Sequence, residues 1–275
     1  MNKNIYVLLA GFIFLLVACD KFEYNVYETN RVKNDPAVTT QYNIDRLLHL
    51  PWKDTLKIVF TGDTQRFYDD TEDLVETVNA MPEVDAVIIT GDIADFGAAF
   101  EYEEINKELK KLKVPFLTVI GNHDCLANGI QLYQDIYGPL NYSFTWNGIR
   151  FIMHNTNGRE FNFTGSVPDI AWMQQQLTDE ENYESCIFVS HVPPYSEDFD
   201  NNLEEAYTKL IKNTKNTLFS SNGHRHDFAF NQPYGDGIWY LNTSSPTNRI
   251  FSVMSITNTK NGRKDTRISC TNIAY

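Results

Sequence analysis

The stretch "VDAVIITGDIAD", residues 84–95, decides the fold. Residues 84–90 form a short apolar run rich in β-branched side chains, which reads as a buried strand. Gly91-Asp92 ends it. The same construction stands on either side. "LKIVFT" (56–61) runs into Gly62-Asp63, and "VPFLTVI" (114–120) runs into Gly121-Asn122. Between the three runs lie two apolar stripes at helical spacing: Leu74, Val78 and Met81, then Ala98, Tyr102, Ile105, Leu109 and Leu112. Strand, polar loop and helix in repeated alternation predict an α/β sheet. Downstream, "GIRFIMH" (148–154) and "CIFVS" (186–190) read as further buried strands, with a helix carrying Trp172, Met173 and Leu177 between them. The end of the chain is β-rich: "GIWYLN" (237–242), "RIFSVMSI" (249–256) and "TRISCTNIAY" (266–275), with Asn261-Gly262 as a hairpin turn.

Chemistry gathers where these strands end. Loops after strand C-termini are the usual active-site location of α/β folds. Here they supply Asp63, Gln65, Asp92, Asn122, His123, His191, His224 and His226. Carboxylates, amide oxygens and imidazoles together are mixed N/O metal ligands. There are too many for one ion, and two ions bridged by one carboxylate would use them all. Each piece alone says little: Gly-Asp makes an ordinary turn, and a lone His191 is more often a satisfied core histidine than a ligand. "GNHD" (121–124) and "GHRH" (223–226) are more specific. His224 and His226 stand two apart at a strand end, where side chains share a face.

In that order, the motifs resemble the calcineurin-like metallophosphoesterase superfamily over about residues 56–256. The resemblance implies an α/β fold of the αββα type, a sandwich of two mixed β-sheets flanked by helices, with a dimetal site at the strand ends. It assigns Asp63 and His226 to a first metal, Asn122, His191 and His224 to a second, and Asp92 to a bridge between them. It further implies two divalent ions (Mn, Fe, Zn or Mg) and hydrolysis of phosphomonoesters or phosphodiesters by a metal-activated hydroxide. His123 would assist the leaving oxygen, and Asp124 would orient His123. Gln65 departs from the pattern, which has His there. It can ligate through its neutral carbonyl oxygen, favouring Mn or Mg, or bond a metal-bound water. Alternatively it marks a degraded first site in a non-catalytic surface lipoprotein that binds a phosphorylated ligand. Arg66 and Arg225 adjoin ligand positions and either contact a phosphate oxygen or face solvent and nearby acids such as Asp69. Asn155, Asn157 and Arg159 are further candidates for the substrate side, Tyr195 either stacks on a base or sugar or simply walls the cleft, and Cys125 is near the site in sequence but is not expected to take part in catalysis.

Composition sets the outer limits. With 275 residues and 42% hydrophobic content the chain can bury a large core. A net charge of −13 argues against a nucleic-acid polymer as partner but leaves phosphorylated small molecules open, because bound metals supply local positive charge. The N-terminus reads as a lipoprotein signal peptide (1–18): Lys3, then an apolar stretch ending Leu16-Val17-Ala18-Cys19. Cys19 would be acylated, placing the protein in the cell envelope, lipid-anchored and extracytoplasmic. Residues 19–54 read as a tether leading into a domain spanning 55–275, with Tyr24, Tyr27 and Tyr42 packing part of that tether onto it. Cys125, Cys186 and Cys270 match no zinc spacing and read as buried small hydrophobes.

Overall fold

The computed structural model describes residues 25, 27–29, 35–257 and 266–275. The stretch read as a signal peptide, Cys19, Tyr24 and the Asn261-Gly262 pair read as a hairpin turn lie outside the described residues. Strands β1 (Thr55–Thr61), β2 (Ala86–Ile89) and β3 (Phe116–Thr118) alternate with helices α2 (Tyr68–Asn79) and α3 (Ala99–Leu109). Helix α1 (Thr40–Leu48) precedes them, and α4 (Gly129–Ile136) leads into β4 (Tyr142–Trp146) and β5 (Ile149–Met153). Then come α5 (Ile170–Gln175), β6 (Ser185–Val189), α6 (Glu204–Asn213) and β7 (Thr217–Asn222). Four strands finish the chain: β8 (Ala229–Asn231), β9 (Tyr240–Asn242), β10 (Ile250–Thr257) and β11 (Arg267–Ala274).

Two mixed sheets result, with strand orders β11-β10-β1-β2-β3 and β4-β5-β6-β7-β9-β8. In the first, β1, β2 and β3 are parallel, Phe60 lying opposite Ile88 on one side and Ser252 of antiparallel β10 on the other. In the second, β5, β6, β7 and β9 are parallel, while β4 and β8 run antiparallel along the two edges. This is the helix-flanked sandwich that the sequence implies.

Strand alternation explains the layers. In β1, Leu56, Ile58 and Phe60 point into the core between the sheets, while Val59 faces the helices. In β6, Ile187 and Val189 point inward, while Cys186 and Phe188 meet α5 and α6. Both faces are therefore apolar, which is why these strands read as unbroken hydrophobic runs. Phe60 and Phe219 meet edge-on across the sandwich at 5.5 Å. Replacing Phe219 with Ala would cost about 3–5 kcal/mol, the usual penalty for an emptied aromatic core position.

The segment read as a tether contains a helix. Thr39 caps α1 by accepting the Tyr42 N–H at 3.3 Å, and Ile44 and Leu47 join the inter-sheet core. Asn43 is fully buried and ties α1 to β3 by accepting the Phe116 N–H at 3.2 Å. The tyrosines expected to do this packing do not: Tyr27 and Tyr42 are exposed. Among the described residues no helix is long and apolar enough to cross a membrane.

Candidate metal centre

The C-terminal ends of β1, β2, β3, β6 and β7 open at one edge of the sandwich, and each is followed at once by a motif loop. The loops approach too closely for side chains at their first residues. A Cβ on Gly121 would lie 2.1 Å from the Asp92 backbone nitrogen, and one on Gly91 would lie 2.7 Å from His191 Nδ1. The backbone is left-handed at Asp63, Gln65, Asp92, His224 and His226, with φ of 54°, 38°, 53°, 74° and 59°. Such conformations cost free energy in non-glycine residues and concentrate at functional sites. His224 and His226 thus owe their aim to a loop, not to strand alternation: β7 stops at Asn222, before either histidine.

The ligand-type atoms converge. Asp63, Asp92 and His191 each place a donor atom within 4.8 Å of the others. His191 Nε2 lies 2.9 Å from Asn122 Oδ1 and 3.3 Å from Asp92 Oδ2. His224 Nδ1 meets the same Asn122 oxygen at 3.0 Å. His226 Nε2 lies 3.5 Å from Asp63 Oδ1. Gln65 is buried beside Asp92, its backbone N–H donating to the Asp92 carbonyl at 3.0 Å and its side-chain amide to Asp92 Oδ2 at 3.4 Å.

Hydrogen bonds on the far side of each ring set its chemistry. His191 Nδ1–H donates to the Thr90 carbonyl at 2.7 Å, so Nε2 is the nitrogen turned into the site. His224 Nε2 faces Asp198 Oδ2 at 3.2 Å, which turns Nδ1 inward. Two imidazole nitrogens and an amide oxygen therefore meet with their lone pairs together, an arrangement that needs a proton or a cation at its centre. Asp63 makes the same demand. It is completely buried, and its Oδ2 has no hydrogen-bond partner. Burial pushes its carboxyl up to about 7. His191 moves the other way from a typical buried imidazole: burial lowers it, but the Asp92 and Asp63 carboxylates and the Thr90 carbonyl together outweigh burial and lift it to about 9. Burial, reinforced by the charge on His191, takes His224 down to about 4. A buried carboxylate oxygen with no partner, beside converging imidazole nitrogens, fits a divalent cation.

One expected role changes. Asp124 does not touch the ring of His123. Its carboxylate accepts the backbone N–H groups of Ile93 (3.0 Å), Ala94 (2.8 Å) and Gly121 (2.9 Å), and the Tyr102 hydroxyl at 3.1 Å. It clips the Gly91-Asp92 loop to the Gly121-Asn122 loop. His123 is instead held by Asp95: its Nδ1–H donates to the Asp95 carbonyl at 2.7 Å, with the Asp95 carboxylate at 3.3 Å. The His123 backbone N–H donates to Asp92 Oδ1 at 2.9 Å. Sequence reasoning missed both Asp95 and Asp198. Asp95, three residues beyond Asp92, was open to a spacing argument. Nothing in the sequence marks Asp198.

The peripheral candidates divide. Arg66 pairs with Asp95 at 3.2 Å, not with Asp69. Arg225 is exposed, its guanidinium 5.9 Å from the centroid of the Tyr195 ring. Arg159 pairs with Asp198. Asn155 and Asn157 do not line a substrate face: both are buried, and the Asn157 amide donates to the Ile120 carbonyl at 3.1 Å and to Asn155 Oδ1 at 2.8 Å. Cys125 Sγ–H donates to the Gly121 carbonyl, and burial raises its thiol far above the usual range, so it is no nucleophile.

Comparison with known proteins agrees with this geometry. A probable glycerophosphodiester phosphodiesterase of Arcobacter nitrofigilis is 29% identical over 121 residues, 42% of this chain and 44% of that protein. A probable cyclic nucleotide phosphodiesterase of Xenorhabdus bovienii is 23% identical over 140 residues, 49% of this chain and 56% of that protein. The chain thus spans about half the length of the curated relatives it matches. Among solved structures, a dimetal phosphatase from Danio rerio superposes with a TM-score of 0.56 at 16% identity, covering 80% of this chain and 99% of that one. Residues 56–228 match the calcineurin-like phosphoesterase family, and the chain belongs to it.

Proposed function

We propose that the chain is a metal-dependent phosphodiesterase, anchored outside the cytoplasm by a lipid on Cys19. The carrying observation is the convergence of Asp63, Asp92, Asn122 and His191 around a buried carboxylate oxygen with no protein partner. Asp63, Gln65 and His226 would hold one divalent ion, Asn122, His191 and His224 a second, and Asp92 would serve both. Gln65 can contribute its amide oxygen by turning its amide over, which favours Mn or Mg. Bound there, the ions would neutralise phosphate oxygens and lower the pKa of an attacking water.

The chain's own residues supply the rest. Thr90 and Asp198 fix the ring orientations of His191 and His224, so neither need reorganise during turnover. With Nδ1 tied to Asp95, His123 is left with Nε2 to face the substrate. Burial lowers the pKa of His123, but the Asp92 and Asp95 carboxylates and the Asp95 carbonyl outweigh it and shift the ring upward; of these, the Asp95 groups would still favour the protonated form with Asp92 serving metal. In the reaction the water gives up a proton to solvent and its oxygen forms the new P–O bond. The ester oxygen departs with its electron pair, and His123 Nε2–H protonates it. Diesters are preferred as substrates because the relatives named above carry phosphodiesterase names. The non-catalytic alternative draws on Gln65 alone, and His123 standing beside an otherwise complete ligand set favours turnover.

Metal content and turnover, measured on one preparation of the chain, test this. Two equivalents of metal and faster hydrolysis of bis(p-nitrophenyl) phosphate than of p-nitrophenyl phosphate are expected, with Mn²⁺ the best activator. His123→Ala should lower kcat by about 10²–10⁴-fold. A chain that binds metal but turns over neither ester would overturn the proposal.

A further inference from the structure

Beside the metal centre lies a cleft of about 440 Å³, lined by Tyr195, Arg225, Asp227, Phe228, Asn231 and Pro233 among others. Arg225 and Asp227 flank His226 in the chain, so the cleft adjoins the centre. We propose that this cleft holds a flat aromatic ester group of the substrate, of the nucleobase type. The inference rests on the phosphodiesterase reading and assigns one side of its substrate.

Four observations support it. The volume suits a small molecule. Phe228 is 39% exposed, a large ring left uncovered at the edge of the site. Tyr195 is braced: it packs edge-on against Tyr240 at 6.2 Å, and Tyr240 against Tyr234 at 5.7 Å. The Tyr234 hydroxyl in turn donates to Glu204 at 2.6 Å. A ring held this way loses little freedom when a ligand stacks on it. Finally, β8 sorts its side chains. Ala229 and Asn231 line the cleft, while Phe230 turns from it and stacks on Trp239 at 4.7 Å.

The polar groups complete the fit. Asn231 and Asp227 offer an amide and a carboxylate for the donors and acceptors on a base edge. Arg225 makes no ion pair among the described residues; its guanidinium lies over the Tyr195 ring, 5.9 Å from the centroid, and would swing off that ring to reach the phosphate side. A glycerol-type group would use neither aromatic ring.

The test is calorimetric, on the Mn²⁺-loaded chain, with thymidine 5′-monophosphate and ethyl phosphate as paired ligands. They share the phosphate and differ in the ester group. Thymidine monophosphate should bind at least about tenfold more tightly, since a stacked base is worth roughly that much. Tyr195→Ala and Phe228→Ala should each shrink the affinity ratio by about fivefold or more, whereas Tyr195→Phe, which keeps the ring, should preserve it. A ratio within about twofold of one, or a ratio that both alanine variants leave intact, overturns the subsite. If ethyl phosphate binds without any preference for the nucleotide, the subsite alone fails. If neither ligand binds and the same Mn²⁺-loaded chain also leaves bis(p-nitrophenyl) phosphate intact, the phosphodiesterase reading fails with it.

Discussion

Asp124 offers a sharp test of role against position. Its carboxylate accepts three buried backbone N–H groups and the Tyr102 hydroxyl. Asp124→Ala strands all four donors where water does not reach, at about 1–3 kcal/mol each. Part of that loss is returned, because burial and the nearby Asp92 charge already push the Asp124 carboxyl up to about 6, and the variant removes that buried charge. A net destabilisation of about 3 kcal/mol is expected. With a urea slope near 3 kcal/mol/M, the unfolding midpoint should fall by about 1 M. Activity under folding conditions should fall much less than in His123→Ala, because the His123 ring is held through its Nδ1 by the Asp95 backbone carbonyl and not by Asp124. Urea unfolding and kcat on the same two variants separate the readings. If Asp124→Ala unfolds at the wild-type midpoint yet loses activity as completely as His123→Ala, then Asp124 serves catalysis and is not a clip between the two loops.

Three further outcomes are expected. His154 is buried, donates from Nδ1 to the Ile152 carbonyl at 3.1 Å and meets the Tyr207 hydroxyl through Nε2 at 2.9 Å; burial holds its pKa near 4 against an ordinary 6.5. The unfolded chain therefore takes up this proton first. The His154 contribution is full above pH 6.5 and falls as pH drops toward 4, with about 2 kcal/mol gone at pH 5. Urea melts should show His154→Gln lacking that share of the acid sensitivity, and parallel pH profiles for the two proteins would refute it. Gln65→His should tighten the metal held by Asp63 and His226 by about tenfold, measured as metal retained on dialysis; unchanged retention would place Gln65 outside the ligand set. Cys19→Ala should move the protein from the membrane fraction to the soluble fraction with its turnover intact, and continued membrane association would remove the lipid anchor.

The fold was legible where burial is two-sided. β1, β2, β5 and β6 pack apolar residues on both faces, so each appears in the sequence as a run that needs no periodicity to detect. The helices α2 and α3 carry wide apolar stripes and were read for the same reason. Elements with little to bury stayed hidden. Helix α6 buries only Tyr207 and Ile211, β8 is three residues long, and α1 sits in a polar stretch where Ile44 and Leu47 alone face the inter-sheet core. Helix α4 and strand β4 fall in a segment with no decipherable pattern, although Leu132, Tyr133, Ile136, Tyr142 and Trp146 are all buried. Their stripes are short, and their partners come from distant parts of the chain.

The site divides along a different line. Residues that would touch metal recur as short motifs because each must follow a strand end closely, and in four of the five loops a glycine (Gly62, Gly91, Gly121 or Gly223) lets its neighbour approach. That is a local constraint, and local constraints leave local signatures. The residues that orient the ligands obey no such rule. A ring nitrogen needs an acceptor within about 3 Å, and any carbonyl or carboxylate that the fold brings there will serve. For His191 it is the carbonyl of Thr90, 101 residues away, for His224 it is Asp198, and for His123 it is Asp95 instead of the adjacent Asp124. The family resemblance thus misassigned Asp124: it follows His123 in the short 3-10 turn His123–Cys125, where consecutive side chains point about 120° apart. Only the folded chain decides which acceptor a histidine meets, and with it which nitrogen is left to bind.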